Sequence, residues 1–253
     1  MARPRKPQRR ARRLDVAAGG VLPAAVPKRW VKLVVGVFLL VPAGILTQTF
    51  FTAFARVTVS EAFWITEEFW FFALGVLLMA VAFFSGLRPV WLYVFGHELT
   101  HAIWVLASGG RVHRFRVTRS GGHILADRTN TWIALAPYFF PIYSAAVIGI
   151  YGAGGLFVDM WPYRQWLFGA IGFTWAYHML FTCWMIAKGQ PDLHYGGTFF
   201  SLVLIYLLNL ACLSGLLVIA SPGVSLVGFA GDFLTNAADA TVAFTLAVNR
   251  LLR

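Results

Sequence analysis

Charge is scarce in this chain: 12% of its 253 residues are charged, only ten are acidic, and 59% are apolar. Soluble domains carry about a quarter charged residues, so this balance excludes a water-soluble globular fold and points to a polytopic membrane protein. Cysteine is scarcer still. Cys183 and Cys212 both fall inside apolar segments, which excludes a disulfide framework and reads as two packed thiols. There is no repeat of fixed period, and no soluble domain is evident.

What the chain holds instead is aromatic and basic. Ten tryptophans and twenty-three phenylalanines suit lipid contact and the interfacial belts of a bilayer. The net charge of +11 gathers at one end, where residues 1–32 hold ten of the twenty-one Lys and Arg, including Arg9, Arg10, Arg12 and Arg13, against the single acid Asp15. With Pro4, Pro7, Pro23 and Pro27 among them, residues 1–28 are expected to form a disordered tail that lies on anionic lipid headgroups and biases topology. Nucleic acid is not an expected partner, because no aromatic residue is interleaved before Trp30. A cleavable signal is not expected either, since the basic region is too long and no small-residue site follows a short apolar stretch.

Six apolar spans follow, at about residues 31–55, 69–84, 89–107, 131–156, 165–187 and 197–220. Pro89 suits the first turn of the third span, and Gly109-Gly110 suits its end. Arg111 to Val117 alternates polar and apolar residues, and Ser120-Gly121-Gly122 turns the chain into His123 to Ala126, the pattern of a β-hairpin. Ala136 to Pro141 holds two prolines, which remove helix donors and should kink or unwind the fourth span. Such a break is stable in a membrane only where protein or a wet cavity covers it. After Ser221-Pro222-Gly223, residues 224–253 set Ser225, Asp232, Asn236 and Asp239 near one helical face. That segment is either an interfacial amphipathic helix or a seventh span with the polar face inward. The expected fold is an all-α polytopic membrane protein of six transmembrane helices, or seven, with a small β-hairpin after the third and a membrane-embedded core over residues 29–223. Orientation is contested by two features. The basic tail argues for a cytoplasmic N-terminus, and three crossings would then put the hairpin opposite; the hairpin's own arginines argue that it too is cytoplasmic, so either one early span is re-entrant or the tail rule fails here.

The third span carries Gly96-His97-Glu98-Leu99-Thr100-His101. Four residues apart on a helix, His97 and His101 project from one face and can share a zinc ion. Glu98 stands beside them, where a carboxylate can take a proton from activated water. Ionisable residues at mid-membrane cost about 2.5–3.5 kcal/mol each on insertion scales, so three together imply a function. A catalytic zinc usually takes a third protein ligand, and the candidates are His178, Asp192, His194, His123 and His113. If spans three, four and five alternate in direction, the ends of the third and fifth share one face, which favours Asp192. His178, in mid-span, is either a further metal contact, a proton-handling group or a buried, hydrogen-bonded histidine.

On these residues the chain resembles the site-2 protease family of intramembrane zinc metalloproteases. The resemblance covers about residues 86–210 and rests on Gly96 to His101 within a span, the Gly109-Gly110 exit with its basic β-like segment, the Ala136 to Pro141 segment, and Asp192 after Gln190-Pro191. It implies that His97, His101 and Asp192 hold Zn2+ and that Glu98 is the general base. His178, Pro137, Tyr138 and Gln190 would then support the ligands or touch substrate. The implied substrate is a membrane-anchored protein cut within or near its transmembrane helix, and the implied location is a bacterial plasma membrane. The family's distal signature has Asn-Pro followed by Leu-Asp-Gly; here it reads Gln190-Pro191-Asp192-Leu193, with Gly196 further on. Two rivals stand beside this reading: a zinc-dependent membrane hydrolase of a lipid or small molecule, and a non-catalytic membrane protein that keeps the metal for structure.

Overall fold

The computed structural model describes residues 29–60, 63–118, 121–221 and 223–253, so the tail expected over residues 1–28 lies outside the described residues. Helices dominate: α1 (Arg29–Ser60), α2 (Glu67–Phe84), α3 (Val90–Ala107), α4 (Thr131–Phe139), α5 (Ile142–Gly154), α6 (Arg164–Ala187), α7 (Pro191–Gly196), α8 (Thr198–Ala220) and α9 (Leu226–Leu251). Strands β1 (Val112–Thr118) and β2 (Gly121–Ala126) pair antiparallel between α3 and α4, as the alternation of residues 111–126 predicts. Among the described residues four helices, Trp30–Val59, Glu67–Phe84, Trp161–Ala187 and Thr198–Ala220, are long and apolar enough to cross a membrane, and α4 with α5 passes the same test as a pair. α3 is not among them. Its own His97, Glu98 and His101 lower its hydropathy.

Local chemistry sets the boundaries. Thr66 caps α2 by accepting from the Phe69 amide, and Glu67 and Glu68 lie in the first turn, where the helix dipole favours negative charge. Pro89 stands at the N-cap of α3 rather than in its first turn, and the helix begins at Val90. Gly109, at φ +72°, ends it in the left-handed region that glycine adopts without steric cost. Between α4 and α5 the chain bends by 73°. Phe140 is extended there because the ring of Pro141 disfavours a helical residue before it.

Directions follow from the contacts. Glu68 pairs with Arg164, Phe71 meets Trp166, and Phe83 meets Phe181, so α2 lies parallel to α6. Glycine allows their close approach: a Cβ on Gly75 would stand 2.1 Å from the Gly169 carbonyl oxygen, and one on Gly172 2.2 Å from that of Phe72. Tyr93, near the start of α3, also stacks on Phe181 at 5.1 Å, while His97 and His101 reach Asp192, just past the end of α6. α3 therefore advances in the same sense as α6 instead of turning back along α2. α3 and α6 share a direction, as alternation of the third, fourth and fifth spans expects, and α2 and α3 are the pair that does not alternate.

α1 runs parallel to α8, with Lys32 Nζ donating to the Tyr195 carbonyl at 3.1 Å and Thr47 bonded to the Tyr206 hydroxyl at 2.7 Å. Tyr195 in turn reaches the Thr129 carbonyl at the base of the hairpin. The start of α1, the hairpin and α7 thus share one end of the molecule. α9 packs antiparallel to α1, with Asp232 pairing Arg56 at 3.1 Å and Asn236 donating to Thr49 at 2.9 Å, so these two polar residues face α1 while Ser225 and Asp239 are exposed.

Candidate metal centre

Helical periodicity brings His97 and His101 together, with their Nε2 atoms 3.2 Å apart. α4 supplies the orientation. The Ile133 carbonyl accepts from His101 Nδ1 at 2.7 Å, so the proton sits on Nδ1 and the Nε2 lone pair faces its neighbour. Ile133 is held there because Asn130 caps α4, its side chain accepting from the Ile133 amide at 2.8 Å. Beside His97, the Tyr143 ring packs against Gly96, where a Cβ would come within 2.7 Å of it, and its hydroxyl donates to the Leu92 carbonyl at 2.6 Å.

Asp192 arrives from α7. Gly189, at φ +78°, turns the chain after α6, Pro191 opens the short helix, and Ser201 ties it down by donating to the Leu193 carbonyl at 2.9 Å. Asp192 Oδ2 then lies 3.4 Å from His97 Nε2 and 3.6 Å from His101 Nε2. Burial raises the pKa of this carboxyl, but hydrogen bonds from His101 and His97 and their charge outweigh it and hold the group below the usual carboxylate range. The fully buried Tyr138 donates to the same oxygen at 3.0 Å and sets its ring edge-on to His97 at 5.3 Å.

This donor set fits a tetrahedral ion. Ligand bonds of about 2.0–2.2 Å at tetrahedral angles separate N and O donors by about 3.3–3.6 Å. The separations here are 3.2, 3.4 and 3.6 Å. The three residues form the cluster of His, Cys, Asp and Glu able to hold a metal among the described residues. Glu98 is 7% exposed and makes no hydrogen bond among the described residues. β2 presses on it, since a Cβ on Gly122 would lie 2.5 Å from Glu98 Cγ.

Other expected residues are placed differently. His178 does not join the cluster: its Nε2 bonds Asn209 Oδ1 at 3.2 Å, and Asn209 Nδ2 donates to the Tyr138 and Ile205 carbonyls at 2.8 and 2.9 Å. It is the buried, hydrogen-bonded histidine of the three alternatives. Gln190 turns away as well, donating to the Met185 carbonyl at 3.5 Å. His113, His123 and His194 are exposed, and His194 bonds Thr198. Pro137 lines a cavity of about 20 Å³ beside His97. A larger cavity of about 240 Å³ opens on the other side, against His101 and Asp192. Asn209 and Gly122 escaped the sequence reading. A lone asparagine inside an apolar span was the available signal for the first; the second has none, because its role depends on which helix β2 lies against.

No protein-family model, curated protein or solved structure matches the chain.

Proposed function

We propose that this protein is an intramembrane zinc metalloprotease of the site-2 protease type, which hydrolyses peptide bonds of membrane-anchored proteins. The observation that carries the proposal is the convergence of Asp192, from α7, on the facing Nε2 atoms of His97 and His101, with the unbonded Glu98 carboxylate on the same helix. In this reading His97, His101 and Asp192 hold the ion, and Tyr138 and the Ile133 carbonyl orient two of the ligands. The chemistry a divalent ion supplies in such a site is Lewis acidity, toward water and toward the scissile carbonyl. Glu98 accepts a proton from the attacking water as its oxygen bonds the carbonyl carbon. It returns that proton to the nitrogen as the C–N bond breaks.

The reading counts α1, α2, α6, α8 and the broken α4–α5 pair as crossings, with α9 a further one beside α1, and embeds α3 from the hairpin side. Arg111, Arg114, Arg116, Arg128 and Lys188 lie at that end, whereas Glu67, Glu68 and Asp159 lie at the other. The positive-inside rule then orients the hairpin toward the cytoplasm of a bacterial plasma membrane, with the basic tail on the same side at anionic headgroups. A reporter fused after Arg128 tests the orientation. The function is tested by metal analysis of the purified chain beside His97→Ala and Asp192→Ala, with Glu98→Gln assayed on a tethered substrate. A wild-type chain empty of zinc, or cleavage that survives Glu98→Gln, overturns it.

A further inference from the structure

The space around the three ligands is lopsided. On the His97 side, the cavity of about 20 Å³ among Tyr93, Pro137, Tyr143 and Tyr177 has room for about one water. On the His101 and Asp192 side, the cavity measures about 240 Å³. An apolar cavity of about 150 Å³ already takes up benzene.

One wall of it is apolar, and Thr129, Pro191, His194 and Tyr195 line the rest beside the ligands. Ile124 is 2% exposed and packs with Val105 and Ile133 in one buried cluster, with Ala126 against it. Side chains alternate along a strand, so Gly122, Ile124 and Ala126 share the inward face of β2. Gly122 meets Glu98, Ile124 forms the wall, and Ala126 lines the cavity. Ala134 of α4 is another of its lining residues. Two of the residues that bound the space are therefore alanines, and a larger side chain at either would fill it. Arg128 lines it as well, and its guanidinium is drawn off to the C-terminal end of α3, where it donates to the Ser108 carbonyl at 3.2 Å.

We infer that this cavity is a substrate subsite that takes one large apolar side chain, leucine or phenylalanine in size, next to the bond that is cleaved, and that Ala126 and Ala134 set its size. The inference rests on the proteolytic reading and adds a specificity to it. Pairing through β2 links the two roles, because the strand that presses on the general base also walls the space beside the ligands.

The test uses the full chain reconstituted in liposomes with a single-span host peptide of leucine and alanine that carries a central Gly-Gly break. One guest position beside the break holds Phe, Leu or Ala. The wild type is expected to cleave the Phe and Leu peptides at least tenfold more efficiently than the Ala peptide, and Ala126→Phe is expected to bring that ratio close to one while zinc content stays at the wild-type level. A ratio unchanged by Ala126→Phe, or no preference in the wild type, overturns the subsite and leaves the proteolytic reading in place. A second arm needs no turnover: Glu98→Gln is irradiated with the same peptide carrying benzoylphenylalanine at the guest position. Cross-links at Ile124, Ala126 or Ala134 support the subsite; cross-links confined to other residues mark the cavity as holding water only. If no peptide is cleaved by the wild type, the proteolytic reading fails, and the cross-linking arm still decides whether the cavity binds an apolar side chain.

Discussion

Two histidine clusters lie buried in this bundle, and they are built on opposite principles. Around His178 the hydrogen bonds close: the ring meets Asn209, and both Asn209 amide hydrogens reach carbonyls of Tyr138 and Ile205. Around His97 and His101 they do not. The His101 proton is spent outward on Ile133, and two Nε2 atoms and a carboxylate oxygen are left facing one point. Buried polar groups are normally paired. A closed network is structure, whereas converging donor atoms make a group that could hold a metal ion. Tyr138 joins the two clusters, its carbonyl serving Asn209 and its hydroxyl serving Asp192.

That contrast can be broken or sharpened by substitution. The largest effect is expected from His97→Ala and Asp192→Ala, each removing a ligand: zinc measured by mass spectrometry should fall to background, and cleavage with it. Glu98→Gln should lower the cleavage rate by about 10²–10⁴-fold with zinc content unchanged, since Glu98 is outside the ligand set. Tyr138→Phe deletes one hydrogen bond to a ligand and should weaken zinc about 10–100-fold in a chelator competition. Acidification should release the ion for a stated reason. Binding needs both imidazoles neutral and Asp192 ionised. Protons compete with the ion for these donors, so zinc content should fall as the pH is lowered. His178→Ala should have the least effect on metal. It leaves Asn209 Oδ1 unsatisfied at a cost of about 1–3 kcal/mol, read as a lower melting temperature, while zinc content holds. If His178→Ala strips the metal instead, the division between the two clusters is wrong.

Legibility in the sequence differed in kind between these residues. The pairing of His97 with His101 was readable because one helical turn contains it. The hairpin was readable from alternation over residues 111–126, and the break at Pro141 from proline's effect on Phe140. Asp192 was singled out on the ground that helix ends share a face. It does reach the site, and α3 runs in the same sense as α6, as alternation of the third, fourth and fifth spans requires. The place of His178 in a span left it open as a further metal contact, a proton-handling group or a buried, hydrogen-bonded histidine. Only Asn209, arriving from α8, shows that its ring is already occupied. Gly122 and Gly96 carried no signal of their own, since each is small to make room for a side chain supplied by another element.

By itself the sequence determined that the chain is membrane-embedded and helical, where its segments begin and end, and that two imidazoles and a carboxylate share a short helical stretch. These are matters of composition and of a 3.6-residue period, both local. The tertiary structure decided that Asp192, favoured among several candidates, does meet the histidines, which end of the molecule the hairpin shares with α1, and on which side of the ligands there is space. Each of those depends on how apolar helix surfaces pack against partners distant in the chain, and that packing is set by shape and volume at the contact rather than by any pattern within one segment.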